Sequence, residues 1–115
     1  MIDFACKQFK LNDVVKCALG LSKGDQKVME FFIKNSDNDY TTEKLAKALR
    51  INLTTAQRAV KKLSEKGIIK RKQQNLENGG YLYNYSLQDK RIIREIIITI
   101  IKSWVKKVEE GLEKW

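Results

Sequence analysis

Polar and cationic side chains are concentrated in residues 54–66, where the apolar residues recur with helical spacing. At about 100° per residue, the apolar side chains share one face of a helix and the polar side chains occupy the opposite face. Arginine, glutamine and threonine can bond to base edges, whereas lysine neutralises phosphate groups. We therefore predict base contacts from Thr54, Thr55, Gln57 and Arg58, and phosphate contacts from Lys61 and Lys62.

These residues belong to a longer pattern, residues 41–67, that predicts two short helices joined by a tight turn. Thr42 is the expected N-cap of the first helix and Thr54 that of the second. Asn52 suits the turn between them, and Gly67 suits the end of the second helix. The pattern is typical of a helix-turn-helix, with a recognition helix at about residues 54–66.

Residues 68–87 predict a β-hairpin directly after the recognition helix. The segment opens with β-branched residues, and its second half alternates tyrosines with other residues at period two, as a half-buried strand does. Between the two halves, Asn78-Gly79-Gly80 supplies residues that tolerate positive φ. Such a hairpin is the wing of a winged helix. Its basic residues, Lys70, Arg71 and Lys72, are further expected phosphate contacts.

The positive charge is strongest on these two elements. Residues 50–72 contain eight Lys or Arg and one acid, whereas the whole chain has a net charge of +9. This concentration favours a polyanionic partner, with double-stranded DNA preferred. Three alternatives stay open. In the first, the basic face is only solvated. In the second, it binds RNA. In the third, the winged helix is a protein-interaction or architectural module that binds nucleic acid without sequence preference.

The order of these motifs resembles the winged helix-turn-helix regulators of the MarR and TrmB-like group. The resemblance rests on SKGDQKVMEFF, on TTEKLAKALRINLTTAQRAVKKLSEKGIIKRK and on NGGYLYNYSL, and it is strongest to small archaeal members with a C-terminal dimerising helix. It implies a homodimeric transcriptional regulator whose recognition helix enters the major groove. The sugar-binding domain of the longer TrmB-type proteins is absent, so the resemblance implies nothing about a small-molecule effector.

The N-terminal half predicts the support for this unit. A first helix capped by Asn12 is expected to end at Gly20, and Ser22 is expected to cap the next helix. Tyr40-Thr41 is expected to form a short strand against the wing. The main hydrophobic support is expected from the inward residues of the second helix, Val28, Met29, Phe32 and Ile33. Residues 1–88 are thus interpreted as the winged domain.

Residues 89–115 predict one long helix with a wide apolar stripe, capped by Asp89. In so small a domain, such a stripe is most economically covered by a second copy, although it could instead fold wholly onto its own domain or lie on a membrane surface. We prefer the homodimer. The expected interface residues are Ile93, Ile97, Ile100, Ile101, Trp104 and Val108. The predicted fold is therefore mainly α, a winged helix-turn-helix with a small β-hairpin wing and a C-terminal dimerisation helix.

The remaining composition argues against catalysis and metal binding. The chain has no histidine, and its two cysteines, Cys6 and Cys17, do not have zinc-binding spacing. We expect no enzyme activity, no cofactor and no metal. Cys17 is expected to be buried, whereas Cys6 is expected to be exposed and is a possible redox site. Without an apparent secretory signal or membrane span, the expected location is cytoplasmic.

Overall fold

The computed structural model describes residues 2–115. This part of the chain contains five α-helices and two antiparallel β-hairpins, which confirms the predicted mainly α winged-helix fold. The order of elements is β1 (Ile2–Asp3), β2 (Gln8–Phe9), α1 (Leu11–Leu19), α2 (Lys23–Lys34), α3 (Thr42–Leu49), α4 (Leu53–Glu65), β3 (Ile69–Asn75), β4 (Tyr81–Leu87) and α5 (Lys90–Glu113). No helix in this range is both long and apolar enough to cross a membrane.

The first two helices begin differently from one another. The predicted Asn12 cap is wrong, because α1 starts at Leu11, directly after the short β1–β2 hairpin that the sequence did not predict. Its N-cap, Lys10, makes no side-chain capping bond. By contrast, Ser22 caps α2 as predicted and forms a reciprocal capping box with Asp25. The start of α2 is therefore fixed by two hydrogen bonds between neighbouring residues.

Both helices of the helix-turn-helix begin earlier than the sequence suggested, α3 by one residue and α4, whose N-cap is Asn52, by two. The N-cap of α3 is Thr41 rather than Thr42, and its hydroxyl accepts a hydrogen bond from the amide of Lys44 at 3.2 Å. α4 begins at Leu53, so Thr54 lies inside the helix and cannot be its cap. The left-handed residue of the turn is Arg50, with φ of +54°, rather than Asn52.

The hydrophobic core lies where α2, α3 and α4 meet the base of the wing. Its largest fully buried side chains are Leu19, Val28, Phe32, Leu45, Leu63 and Ile68. Two sequence predictions are wrong here. Ile33 is 43% exposed, because it lies at the edge of the apolar face of α2. Cys17 is exposed, because α1 buries the next two residues and turns Cys17 towards solvent.

The wing is a regular hairpin with paired ends. Ile69 lies opposite Leu87 at its base, and Asn75 lies opposite Tyr81 near its tip. Gly79 in the connecting loop has φ of +89°, the backbone conformation for which glycine is suited. The predicted pairing of Tyr40 with the wing is confirmed as a single bridge, in which Tyr40 and Tyr85 exchange two backbone hydrogen bonds of 2.8 Å.

α5 begins in the core and ends outside it. Asp89 caps the helix as predicted, and its carboxylate accepts a hydrogen bond from the amide of Arg91 at 2.8 Å. Ile93 is buried, but every residue from Lys102 onward is exposed. With 24 residues, α5 is about 36 Å long. Its projecting end contributes to the elongated dimensions of 64 × 24 × 24 Å.

Candidate nucleic-acid interface

The outward face of α4 carries the side chains that the sequence singled out. Thr54, Gln57, Arg58 and Lys61 are all exposed on this helix. Its opposite face is anchored by buried alanines and aliphatic residues, and α4 packs against both α2 and α3. The small alanine side chains allow the helices to approach closely. The core therefore holds α4 firmly while its polar face stays open to solvent.

Thr55 and Lys62 are placed differently, because both lie on the side of α4 that faces the start of α2. Thr55 is half-buried, and its methyl carbon would lie 3.4 Å from a Cβ atom added to Gly24. Lys62 is half-buried too, and its ammonium lies 3.2 Å from a carboxylate oxygen of Asp25. The structure thus separates these two residues from the outward group to which the sequence assigned them.

Asp25 is the charged residue that joins α2 to α4. The residue is only 7% exposed, and one carboxylate oxygen accepts the amide hydrogen of Ser22 at 2.9 Å and pairs with Lys62. Burial alone would raise the pKa of the Asp25 carboxyl. The hydrogen bonds from Ser22 and Lys62, together with the charge of Lys62, outweigh that effect, so the pKa of Asp25 lies below its ordinary value.

A groove of about 1090 Å³ separates α4 from the wing. Gln57 and Lys61 line it from α4, and Arg71 lines it from β3. The guanidinium carbon of Arg71 lies 4.2 Å from the centre of the Tyr83 ring, which is close enough for a cation–π interaction. The helix and the wing thus present polar and cationic groups to one continuous depression.

The three basic residues of the wing do not share one face. Successive side chains of a strand point to opposite faces, so Lys70 and Lys72 lie on the face opposite Arg71. Lys70 lines a separate shallow depression near Asp37 and Asp89, away from α4. Arg71 is therefore the basic wing residue that shares the groove with the recognition helix. The groove also contains acidic groups, since Glu43 and Glu65 line it.

The expected dimer residues divide along α5. Ile93 is buried in the core of its own chain, and Ile97 and Ile100 pack partly against that core. Ile93 is therefore not available for a second copy in this arrangement. Trp104 and Val108 are 40% and 61% exposed, and Ile101 is half-buried beside an apolar crevice between α1, α2 and α5.

The cysteines lie in the N-terminal part of the chain. Cys6 is exposed, as predicted, in the loop of the β1–β2 hairpin, and Cys17 is exposed on α1. Both thiols are free. A redox role for Cys6 stays a prediction.

Comparison with known families identifies the chain. A family model described as the DnaD N-terminal domain matches residues 8–108, which is most of the sequence. The chain belongs to the DnaD N-terminal domain family. The sequence resemblance pointed instead to the MarR and TrmB-like group, and that finer assignment stays a prediction. The shared winged-helix pattern explains the difference, because helix and wing spacing is common to many families with this fold.

Related proteins support the fold of this DnaD N-terminal domain. A solved structure, a possible transcriptional regulator from Methanosarcina mazei Go1, is 49% identical, and the match covers all of this chain and 96% of that one with a TM-score of 0.93. The uncharacterized protein MJ1503 of Methanocaldococcus jannaschii is 28% identical over 95% of this chain and 81% of its own. A mutant of MepR from S. aureus, bound to an oligodeoxyribonucleotide, is 18% identical with a TM-score of 0.56, covering 90% of this chain and 78% of MepR. This last match shows the fold alone.

The M. mazei relative is described as a possible transcriptional regulator, which supports the prediction that this DnaD N-terminal domain is not an enzyme.

Sequence reasoning missed two residues that position the candidate interface. Asp25 received no role, although a buried acid three residues after a serine cap is a recognisable capping box. Tyr83 was interpreted only as part of a half-buried strand. Its contact with Arg71 is diagonal across the hairpin, since the direct partner of Arg71 is Tyr85. The strand register is needed to find such a contact.

Proposed function

We propose that this DnaD N-terminal domain is a sequence-specific, double-stranded DNA-binding transcriptional regulator that acts as a homodimer. The observation that carries the proposal is the exposed polar face of α4 beside the groove that contains Arg71. Two comparisons support it. The M. mazei relative is described as a possible transcriptional regulator, and the MepR mutant, which has the same fold, is described as bound to an oligodeoxyribonucleotide.

In this proposal α4 enters the major groove and reads bases with Arg58, Gln57 and Thr54. Arginine can donate two hydrogen bonds to guanine, and glutamine can bond in the same way to adenine. All three side chains are exposed on α4. Thr55 is assigned no base contact, because its methyl group lies against the start of α2.

Phosphate contacts come from Lys61 on α4 and from the wing. Arg71 approaches from the groove side of the hairpin, whereas Lys70 and Lys72 approach from its other face. Lys62 is assigned a structural role instead, because its ammonium is paired with Asp25. Phosphate neutralisation releases counterions, so it supplies much of the affinity and makes that affinity dependent on salt.

A homodimer would carry two recognition helices. Two helices about 34 Å apart would fit successive major grooves on one side of B-DNA, so the expected site is pseudo-palindromic. The exposed apolar side chains of α5 support this assembly, because a monomer would leave them in water.

The test is binding to a selected duplex and to a random duplex over a range of salt concentrations, starting from selection of preferred sites out of genomic fragments. We expect the selected site to bind about a thousandfold more tightly than random DNA. Arg58→Ala should weaken the selected site by about 1–3 kcal/mol and leave random DNA nearly unchanged. Lys34→Ala, which removes an exposed positive charge on α2, is the matched control.

Two results would contradict the proposal in different ways. An equal decrease in affinity for both duplexes would remove Arg58 as a base-reading residue. Strong salt dependence without any preferred fragment would instead support an architectural or protein-interaction module that binds nucleic acid non-specifically.

A further inference from the structure

The apolar surface of α5 has two neighbouring faces with different surroundings. The inner face packs against the core of its own chain through Ile93, Ile96 and Ile100, and Ile97, at the boundary with the second face, also contacts that core. At 100° per residue, a second face lies to one side of it and runs along the whole helix. This outer face consists of Ile97, Ile98, Ile101, Trp104, Val105, Val108 and Leu112, and Trp115 continues it in the turn that follows the helix. Its distal members are 40–99% exposed, the last value being that of Trp115.

The outer face begins in an open crevice. Between α1, α2 and the first half of α5 lies a cavity of about 600 Å³, lined mainly by apolar side chains. Ile97, Ile98 and Ile101 form its α5 wall, and Leu11 and Ile33, both well exposed, lie on the opposite side. This volume is within the range of pockets that enclose a drug-sized molecule, so it has room for two large side chains.

Charge is distributed unevenly along α5. Its first half, residues 90–102, contains four basic residues and one acid. The second half, residues 103–114, contains three acids, Glu109, Glu110 and Glu113, and three lysines, Lys106, Lys107 and Lys114, so its net charge is zero. A parallel pair of these helices in register would place Lys102 beside Lys102 and Glu109 beside Glu109, whereas an antiparallel pair that crosses near residue 106 places Lys102 near the partner's Glu109 and Glu110.

We propose that two copies pair their α5 helices antiparallel, so that Leu112 and Trp115 of each copy fill the crevice of the other. The inference rests on the homodimer of the proposed function and specifies its geometry. Of the candidate occupants, the second copy is favoured because the outer face and the crevice are one continuous surface and because the antiparallel orientation places Lys102 of each copy near acids of the other.

The register follows from the spacing of the outer face. When the two helices cross near residue 106, Trp104 lies opposite the partner's Val108 and Ile101 lies opposite the partner's Gly111. Each pair joins a larger residue to a smaller one, which favours close packing. In the same register Ile98 lies beside the partner's Leu112, and Lys102 lies near the partner's Glu109.

Disulfide formation between two single-cysteine proteins tests this orientation. In full-length protein with Cys6→Ser and Cys17→Ser, the Ile98→Cys and Leu112→Cys variants are prepared separately, distinguished by mass, mixed and oxidised. The heterodisulfide should form at least tenfold faster than either homodisulfide. The reason is that the two copies of position 98 would be about 24 Å apart along the helix axes, far beyond the Cα separation that a disulfide spans.

A matched control uses Thr99→Cys in place of Ile98→Cys, because Thr99 is exposed on the other side of α5. This pair should not form the heterodisulfide.

A separate variant tests the contribution of Trp115. Trp115→Ala should raise the dimer dissociation constant at least tenfold without changing protomer helicity, because Trp115 is 99% exposed in its own chain.

The outcomes separate this inference from the proposed function. Rapid homodisulfides at position 98 would mean a parallel pair and would overturn the inference while leaving the dimer intact. A dimeric mass without any of these disulfides would place the interface elsewhere, which also overturns it. A monomeric mass at micromolar concentration would remove the dimer itself, whereas DNA recognition is judged separately by the duplex titration.

Discussion

Asp25 makes contacts in the folded protein that the sequence analysis did not predict. Its carboxylate closes the capping box of α2 and pairs with Lys62 on α4 at 3.2 Å. A single buried side chain therefore both caps the start of α2 and links it to α4. This arrangement also explains why Lys62, although basic and on the right helix, is not placed with the outward side chains.

We expect Asp25→Asn to lower the free energy of unfolding by about 1–3 kcal/mol at pH 7. The substitution removes a buried carboxylate that accepts a hydrogen bond from Ser22 and pairs with the ammonium of Lys62. The pKa of Asp25 is lowered in the folded protein. Its contribution is therefore fully present above the unfolded pKa of about 3.9 and is lost as the pH falls through the lower folded value. Urea unfolding at a series of pH values from pH 7 into the acid range measures this difference.

The loss of stability in the variant should shrink as the pH is lowered below the unfolded pKa of the carboxyl. Asp39→Asn, at an exposed position, is the control and should leave unfolding at pH 7 nearly unchanged. A penalty for Asp25→Asn that is the same at every pH would contradict the assigned ion pair.

The wing places residues that are adjacent in sequence on opposite faces of a strand. Lys70, Arg71 and Lys72 look equivalent as a basic run, but the pleat of β3 turns only Arg71 towards the groove beside α4. There the guanidinium stacks on Tyr83, which restricts its motion. Arg71 is thus already held where a nucleic acid seated on α4 would pass.

We expect Arg71→Ala to weaken binding to a selected duplex more than Lys72→Ala does, although each substitution removes one positive charge. In the proposed DNA complex Arg71 would combine a phosphate contact with a fixed position near α4, whereas Lys72 lies on the opposite face of the hairpin. Fluorescence anisotropy at several salt concentrations measures both variants. Removal of one phosphate interaction should reduce the salt slope by about 0.9.

Tyr83→Ala provides a control for the stacking. It keeps the charge of Arg71, so it should preserve the salt slope while lowering affinity by about 0.5–1 kcal/mol. If Lys72→Ala proved the more damaging of the two charge removals, the wing would approach nucleic acid from its other face.

At the scale of the whole molecule, the winged domain buries its apolar side chains in a core, whereas the projecting half of α5 leaves them exposed to solvent. The core unites α2, α3, α4 and the base of the wing, and it also includes the first turns of α5. Beyond Ile101, α5 exposes apolar side chains such as Val108 and Leu112. The single chain therefore combines a packed winged-helix domain with an uncovered helix.

We expect Val108→Glu to yield a monomer whose helicity matches that of the parent, because Val108 is 61% exposed in its own chain. Binding to a duplex with two half-sites should fall by about a hundredfold or more, whereas binding to one half-site should be unchanged. Sedimentation and duplex titration measure the two effects.

Thr99→Glu is the comparison for this variant, since it adds the same charge to an exposed position off the outer face of α5. It should remain dimeric. A dimeric Val108→Glu protein would show that the interface does not include this face.

Much of this protein followed from local pattern. Helical spacing, the Ser22 and Asp89 caps and the glycine-rich hairpin loop depend on neighbouring residues, so they could be predicted without a structure. The wrong predictions of helix N-caps were also local. Asn12, Thr42 and Thr54 were each predicted as an N-cap one or two residues after the residue that occupies this position. Several adjacent polar residues can act as an N-cap, and the backbone conformation of the folded chain decides which of them does.

Periodicity and composition are properties of short stretches, so the amino-acid sequence alone was enough to establish the winged helix-turn-helix, the long apolar C-terminal helix and the surplus of positive charge. Three further outcomes required the folded chain. Lys62 pairs with Asp25, Arg71 rather than Lys70 shares the groove with α4, and Ile93 belongs to the core of its own chain. Each of them depends on which residues distant in sequence become neighbours, and such contacts arise from packing and strand register, which no local pattern specifies.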